Sequence, residues 1–280
     1  MVISRDFGLN WSVISTLPTS SIVGEIRSVL VDSTGNNIIV SRYDLTLLKS
    51  VNQGVSFLPV SNDINRRWDV SNGNNDLSVV IVGSIENEVQ SNFYLYTNNT
   101  WKTLPTGKIT QSIACDEVGN TLMYCGINDN LYISVNGGNT WNTNTVSEGL
   151  WTHCLCNFDG SALYAGCVLS GVDRNLSRVY RSRDKGFSWD IIFETDMYLL
   201  SLTADRSGSR IVATFDQTYE YIYVSKDYGI NWASISKSFV SKSNSTNKWS
   251  PTVINSTGDK ILSFNLVLTA PEIGRIFSIA

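Results

Sequence analysis

The pattern Ser-x-Asp-x-Gly-x-x-Trp recurs along this chain, and a recurring turn signature narrows the fold to architectures built from repeats. Three copies are complete: Ser4, Asp6, Gly8 and Trp11; Ser182, Asp184, Gly186 and Trp189; Ser225, Asp227, Gly229 and Trp232. A fourth has Asn for Asp (Ser134, Asn136, Gly138, Trp141), and a fifth also has Phe for Trp (Ser50, Asn52, Gly54, Phe57). A short polar acceptor bonds backbone N–H groups a few residues on and closes a turn. The glycine admits a positive φ, and the aromatic opens the next strand with a large surface to bury. Each copy is expected to be a hairpin corner with an anchor.

A second repeat precedes each corner. Ser28–Asp32 comes before Ser33-Thr34-Gly35, Ser112–Asp116 before Glu117-Val118-Gly119, and Leu202–Asp205 before Arg206-Ser207-Gly208. Looser copies are His153–Asn157 before Phe158-Asp159-Gly160 and Thr252–Asn255 before Ser256-Thr257-Gly258. Three positions after each glycine an apolar residue returns: Ile38, Leu122, Ile211, Leu163 and Ile261. Trp68–Ser71 before Asn72-Gly73-Asn74, with Leu77 following, reads as a degenerate sixth copy. Each is expected to be an inner β-hairpin. Hairpin plus corner makes a unit of four strands (A to D) in roughly 40–50 residues. The units fall at 26–57, 66–103, 110–143, 152–191, 199–235 and 249–280, the last completed by residues 1–15. In the unit at 66–103 the corner keeps only its polar turn, Thr97-Asn98-Asn99-Thr100, and Trp101.

The corner pattern resembles the Asp-box, or BNR repeat, of the sialidase-like β-propellers. Together with the six units it implies an all-β fold: a six-bladed β-propeller of four-stranded antiparallel blades, one domain over residues 1–280. The N-terminal strand is expected to join the last blade and close the ring. Val2-Ile3-Ser4 and Ile276-Phe277-Ser278 both read as the third strand of that blade. Strand order puts the glycine turns and the boxes at one rim. The resemblance places function at the other, so Asp6, Asp184 and Asp227 read as structural.

The loops of that second rim supply the candidate binding residues: Arg27, Arg42, Tyr43, Arg66, Arg67, Trp151, Arg174, Arg178, Tyr198 and Tyr219. Arginine forks and aromatic rings suit an anionic or sugar ligand. The expected function is a non-enzymatic binding or assembly module with a protein or glycan partner. A sialidase-like glycoside hydrolase with a diverged pocket is the alternative. Such enzymes use three Arg, a Tyr–Glu pair and an Asp acid, but no local motif here assigns these roles and no Arg-Ile-Pro element precedes Ser4. A surface component of a larger particle such as a virion is a third reading.

Composition excludes other classes. A net charge of −4 and a pI near 5.1 argue against a nucleic-acid surface. The apolar run 261–268 is too short to span a bilayer, and residues 1–25 lack the pattern of a secretory signal. Five cysteines without a Cys-x-x-Cys pair read as buried thiols in a reducing compartment such as the cytoplasm. A single histidine, His153, leaves no multi-His metal site, and no calcium loop or phosphate-binding glycine loop is present. No metal or cofactor is expected.

Overall fold

A computed structural model describes residues 2–5, 10–14, 26–42, 47–60, 67–87, 90–98, 100–108, 110–126, 130–143, 150–170, 175–216, 221–235, 247–267 and 276–279. They fall in two compact units, Met1–Thr110 and Gln111–Ala280. In the first unit β1 (Val2–Ile3) and β2 (Ser12–Val13) form a hairpin. Sheet 1 follows with β3 (Ile26–Val31), β4 (Ile38–Arg42), β5 (Leu48–Ser50) and β6 (Leu58–Pro59). Sheet 2 has β7 (Arg67–Gly73), β8 (Val80–Asn87), β9 (Gln90–Thr97) and β10 (Thr100–Lys108).

The second unit begins with sheet 3: β11 (Thr110–Cys115), β12 (Leu122–Gly126), β13 (Leu131–Ser134) and β14 (Asn142–Thr143). Sheet 4 has β15 (Leu150–Cys156), β16 (Leu163–Ser170), β17 (Asn175–Ser182) and β18 (Asp190–Thr195). Sheet 5 has β19 (Tyr198–Ala204), β20 (Ile211–Asp216), β21 (Tyr221–Ser225) and β22 (Ala233–Ser234). Sheet 6 has three strands, β23 (Asn247–Ile254), β24 (Ile261–Val267) and β25 (Ile276–Ile279). Five sheets thus hold four strands each, and strands consecutive in the chain are neighbours in every sheet. No described helix is long and apolar enough to cross a membrane.

The glycine turns close through a side chain that accepts from the backbone five residues on. Asp116 Oδ2 accepts from Thr121 N at 2.8 Å, Asn157 Oδ1 from Ala162 N at 2.9 Å, and Asp205 Oδ1 from Arg210 N at 3.0 Å. The sixth copy is shifted relative to the sequence reading. Its acceptor is Asn74, which takes Val79 N at 3.0 Å, and Leu77 holds the glycine position with φ +56°. Gly73 instead ends β7, where a Cβ would come within 2.9 Å of Leu77 Cδ2. That glycine answers a close approach, not a turn.

The corners repeat one set of bonds. Ser182 Oγ accepts from Gly186 N and donates to Asp184 Oδ1, both at 2.8 Å, and Asp184 Oδ1 accepts from Ser188 N at 2.8 Å. Asn52 and Asn136 accept the equivalent bonds through Oδ1, from Ser56 N at 3.0 Å and Thr140 N at 2.9 Å. Amide for carboxylate is therefore a silent exchange here. Positive φ extends to the residue before the glycine, as at Lys185 (+59°) and Gly186 (+89°). Asp6 and Gly8 lie outside the described residues.

Corners and glycine turns share one end of sheets 1 and 5, since Gln53 N donates to Asn36 O at 3.0 Å and Tyr228 N to Ser209 O at 2.9 Å. Successive glycine turns are also chained. In the first unit Ser33 N donates to Asn75 O at 2.8 Å. In the second, Glu117 N donates to Phe158 O, Phe158 N to Arg206 O, and Arg206 N to Ser256 O, at 2.9 to 3.1 Å. The donors and acceptors are equivalent positions and the direction never reverses, so each sheet repeats its neighbour's placement.

Apolar cores lie between successive sheets. Ile39, Trp68, Val80 and Tyr94 pack between sheets 1 and 2, Met123, Leu131, Trp151 and Leu163 between 3 and 4, and Tyr164, Leu199, Ile211 and Phe215 between 4 and 5. The second strands β4, β12 and β20 are therefore buried on both faces and read as apolar runs, whereas the fourth strands β6, β14 and β22 are exposed. Each fully buried Ile, Leu or Val contributes about 1.5–3 kcal/mol.

Candidate ligand site on the inner strands

The first strands of sheets 1, 2, 4, 5 and 6 enter from the end opposite the glycine turns and break their register soon after. The shift falls at Arg27 in β3, Asp69 in β7, Thr152 in β15, Leu200 in β19 and Ser250-Pro251 in β23. Counted from the Asp or Asn of each glycine turn, the bulge is five residues upstream: Asp32 to Arg27, Asn74 to Asp69, Asn157 to Thr152, Asp205 to Leu200. A bulge re-aims the side chain it carries. One residue later, serines stitch neighbouring inner strands. Ser28 Oγ lies 2.6 Å from Ser71 Oγ, Ser112 Oγ accepts from Cys154 N at 3.1 Å, and Ser201 Oγ accepts from Thr252 N at 3.2 Å.

In the first unit this arrangement brings opposite charges together. Arg27 Nε lies 3.6 Å from Asp69 Oδ1, with both side chains partly exposed. Burial pushes the Asp69 carboxyl up, and the Arg27 charge only partly offsets it. The pair is a cation beside a carboxylate that burial makes easier to protonate than a free one. Asp69 is absent from the candidates read from sequence, and the Gly73 misalignment hid it. Aligned on Asn74, Asp69 falls in the same column as Arg27.

The other candidates divide. Arg67 is exposed near the start of β7, and Arg42 is buried at the end of β4. In the second unit Arg178 on β17 donates through Nε to Glu194 Oε2 at 2.5 Å, a bond that holds its guanidinium charged, and Tyr198 is exposed at the start of β19. Trp151 does not fit a stacking platform. It is 1 % exposed and packs its ring against Tyr180 with centroids 5.4 Å apart. The register shift between Trp151 and His153 puts the indole on the core face. Tyr43, Arg66, Arg174 and Tyr219 lie outside the described residues.

No known protein family matches the sequence. No curated protein matches it either. Solved structures do. An oligogalacturonate lyase from Vibrio parahaemolyticus aligns with a TM-score of 0.64 at 10% identity, covering 89% of this chain and 76% of that one. A protein described as TolB from Agrobacterium tumefaciens aligns at 0.59 and 14%, covering 80% and 83%. An ancestral GH74 enzyme aligns at 0.60 and 17%, covering 91% of this chain, which spans 39% of the enzyme's length. All three are β-propellers. The fold is propeller-like.

In propeller terms, the inner strands carry the bulges, and the candidate residues sit at the ends away from the corners. His153 occupies one of the stitching positions. Its Nδ1 lies 2.9 Å from Thr152 Oγ1, and burial lowers its pKa to about 4 despite a bond to the Leu200 backbone. It is a neutral structural group at ordinary pH. None of the five cysteines is in a disulfide and four are buried, and burial holds the Cys115, Cys125 and Cys156 thiols above the ordinary range. Such thiols are poor nucleophiles. Among the described residues no cluster of His, Cys, Asp and Glu has the makings of a metal site.

Proposed function

We propose that the chain is a non-enzymatic Asp-box propeller that binds a protein or glycan partner through the rim opposite the boxes. On this reading the six sheets form the blades of one domain, a six-bladed ring closed by the N-terminal strand. The observation that carries the binding assignment is the Arg27–Asp69 pair, a cation and a carboxylate displayed on two neighbouring inner-strand bulges. An incoming carboxylate would take the place of Asp69 on the guanidinium. Arg67 in the same unit supplies a further cationic contact. The cysteines, none in a disulfide, favour a reducing compartment such as the cytoplasm, with a virion component as the other reading.

The favoured ligand is an anionic sugar, and the oligogalacturonate in the name of one structural neighbour makes that oligosaccharide a suitable first probe. Binding of an anionic oligosaccharide without turnover on a glycan array supports the glycan arm. Stoichiometric co-purification with a protein, without glycan binding, supports the assembly arm.

A sialidase-like hydrolase is the second reading, favoured by the raised pKa of Asp69, which is the property a general acid needs. Release of the fluorophore from a fluorogenic sialoside, abolished by Asp69→Asn, would establish it in place of the first.

A further inference from the structure

One corner carries a reactive dipeptide. In the five copies of the corner pattern, the Asp or Asn acceptor is followed by Phe7, Gln53, Gly137, Lys185 and Tyr228. The copy at Asn136 is thus the one that joins an amide side chain to a following glycine. In such a pair the glycine backbone nitrogen can attack the side-chain Cγ, because no Cβ on the glycine obstructs the approach. A new N–C bond forms, the amide nitrogen leaves as ammonia with the glycine's proton, and water opens the resulting imide. Opening at one carbonyl leaves aspartate. Opening at the other leaves isoaspartate, in which the main chain runs through Cβ and Cγ.

In the folded corner all the reacting groups are engaged. Gly137 N, the nucleophile, donates to Asn120 O at 2.9 Å in the glycine turn of the same sheet. Asn136 Nδ2, the leaving group, donates to Thr140 Oγ1 at 2.8 Å. Asn136 Oδ1 accepts from Ser134 Oγ at 3.0 Å and from Thr140 N at 2.9 Å. Donors on that oxygen would stabilise an attacked carbonyl, but they also hold the side chain towards Thr140 while the Asn120 bond ties up the nucleophile. The nucleophile decides, since attack requires that bond to break and the proton to leave.

An aspartate at this position fits the closed corner. Asp184 and Asp227 hold the same arrangement, with Oδ1 accepting from the backbone N–H four residues on and Oδ2 from that residue's side chain. An isoaspartate does not fit, because its added main-chain atom displaces Gly138 N, which lies 2.9 Å from Ser134 Oγ. We propose that Asn136 is a fold-gated deamidation site. It is shut while the corner is closed and reacts when the corner opens, and the aspartate product completes the pattern and recloses.

The experiment follows Asn136 by peptide mapping of the full chain with mass detection, in buffer and in urea at the same pH. The second Asn-Gly pair, Asn72-Gly73, is the internal reference for the unfolded rate, and in urea the two should react alike. In buffer Asn136 should deamidate at least about 10-fold more slowly, the protection of a closed local structure. Ser134→Ala removes the hydroxyl bonded to Gly138 N and Asn136 Oδ1, and the milder Thr140→Ala removes the acceptor of Nδ2. Each should speed the reaction in buffer several-fold, and Asn136→Asp should melt close to wild type. Equal rates in buffer and urea would overturn the proposal. So would a faster rate in buffer, which would mean that the donors on Oδ1 catalyse the attack. A rate in buffer unmoved by both alanine variants would overturn the gate, and a markedly lower melting temperature for Asn136→Asp would overturn reclosure.

Discussion

The Trp232 indole donates to the Ile192 carbonyl at 3.0 Å, from sheet 5 to sheet 4, while also bonding Gly229 O at 3.0 Å within its own corner. One side chain thus fixes the turn and its docking. Gly229 makes this approach possible, because it has φ +83° and a Cβ there would run into Ile192. Gly229→Ala should cost about 2–4 kcal/mol, adding left-handed strain to overpacking, as measured by urea unfolding. A loss below about 0.5 kcal/mol, the scatter of a surface substitution, would show that the corner does not bear on the sheet before it.

Asp184 accepts from the Ser182 and Ser188 hydroxyls and from Ser188 N, and these bonds lower its pKa to about 2. Its contribution is present above the ordinary carboxylate value and is lost as pH falls through about 2. Since Asn52 and Asn136 fill the same role, Asp184→Asn should melt close to wild type. Asp184→Ala should melt several degrees lower. Equal melting of the two variants would deny the bonds their importance.

His153 sets a pH limit of the opposite chemical kind. Its folded pKa, about 4, lies below the ordinary 6.5. Between those values the unfolded chain takes up a proton that the folded chain refuses, so stability falls as pH falls. From pH 7 to pH 5 this amounts to at most about 2 kcal/mol. His153→Gln should flatten that part of the stability profile. A variant that keeps the wild-type slope would place the titration elsewhere.

The repeats were legible because each copy is local chemistry. A turn needs its Asp or Asn acceptor, a residue at positive φ and an apolar return, whatever surrounds it, and those residues sit within about eight positions of each other. The sixth glycine turn was misread because two physical demands compete there. Gly73 looks like the turn glycine but serves a close backbone approach, while Leu77 accepts φ +56° and keeps its side chain in the core at 3 % exposure. Burial of a leucine outweighs the left-handed strain of about 1–2 kcal/mol.

That slip concealed Asp69, the partner of Arg27. Trp151 was misplaced for a related reason. Which face a residue takes near the start of an inner strand depends on the bulge at Thr152, and nothing in residues 150–156 announces a bulge. Charge and aromatic content can be read from a sequence, but facing cannot be read across an unseen register shift.

The most direct measurement is calorimetric titration of the wild type, Arg27→Ala and Asp69→Asn with an anionic oligosaccharide such as oligogalacturonate. Arg27→Ala should weaken binding at least about 10-fold, the loss of one charge-assisted contact of about 1.4 kcal/mol. Asp69→Asn should strengthen it several-fold by removing the internal competitor. Wild-type affinity should rise as pH falls towards the raised titration of Asp69, because a protonated carboxyl competes less for Arg27. Binding that is indifferent to both substitutions, or weaker in Asp69→Asn, would contradict the assignment of this pair as the ligand site.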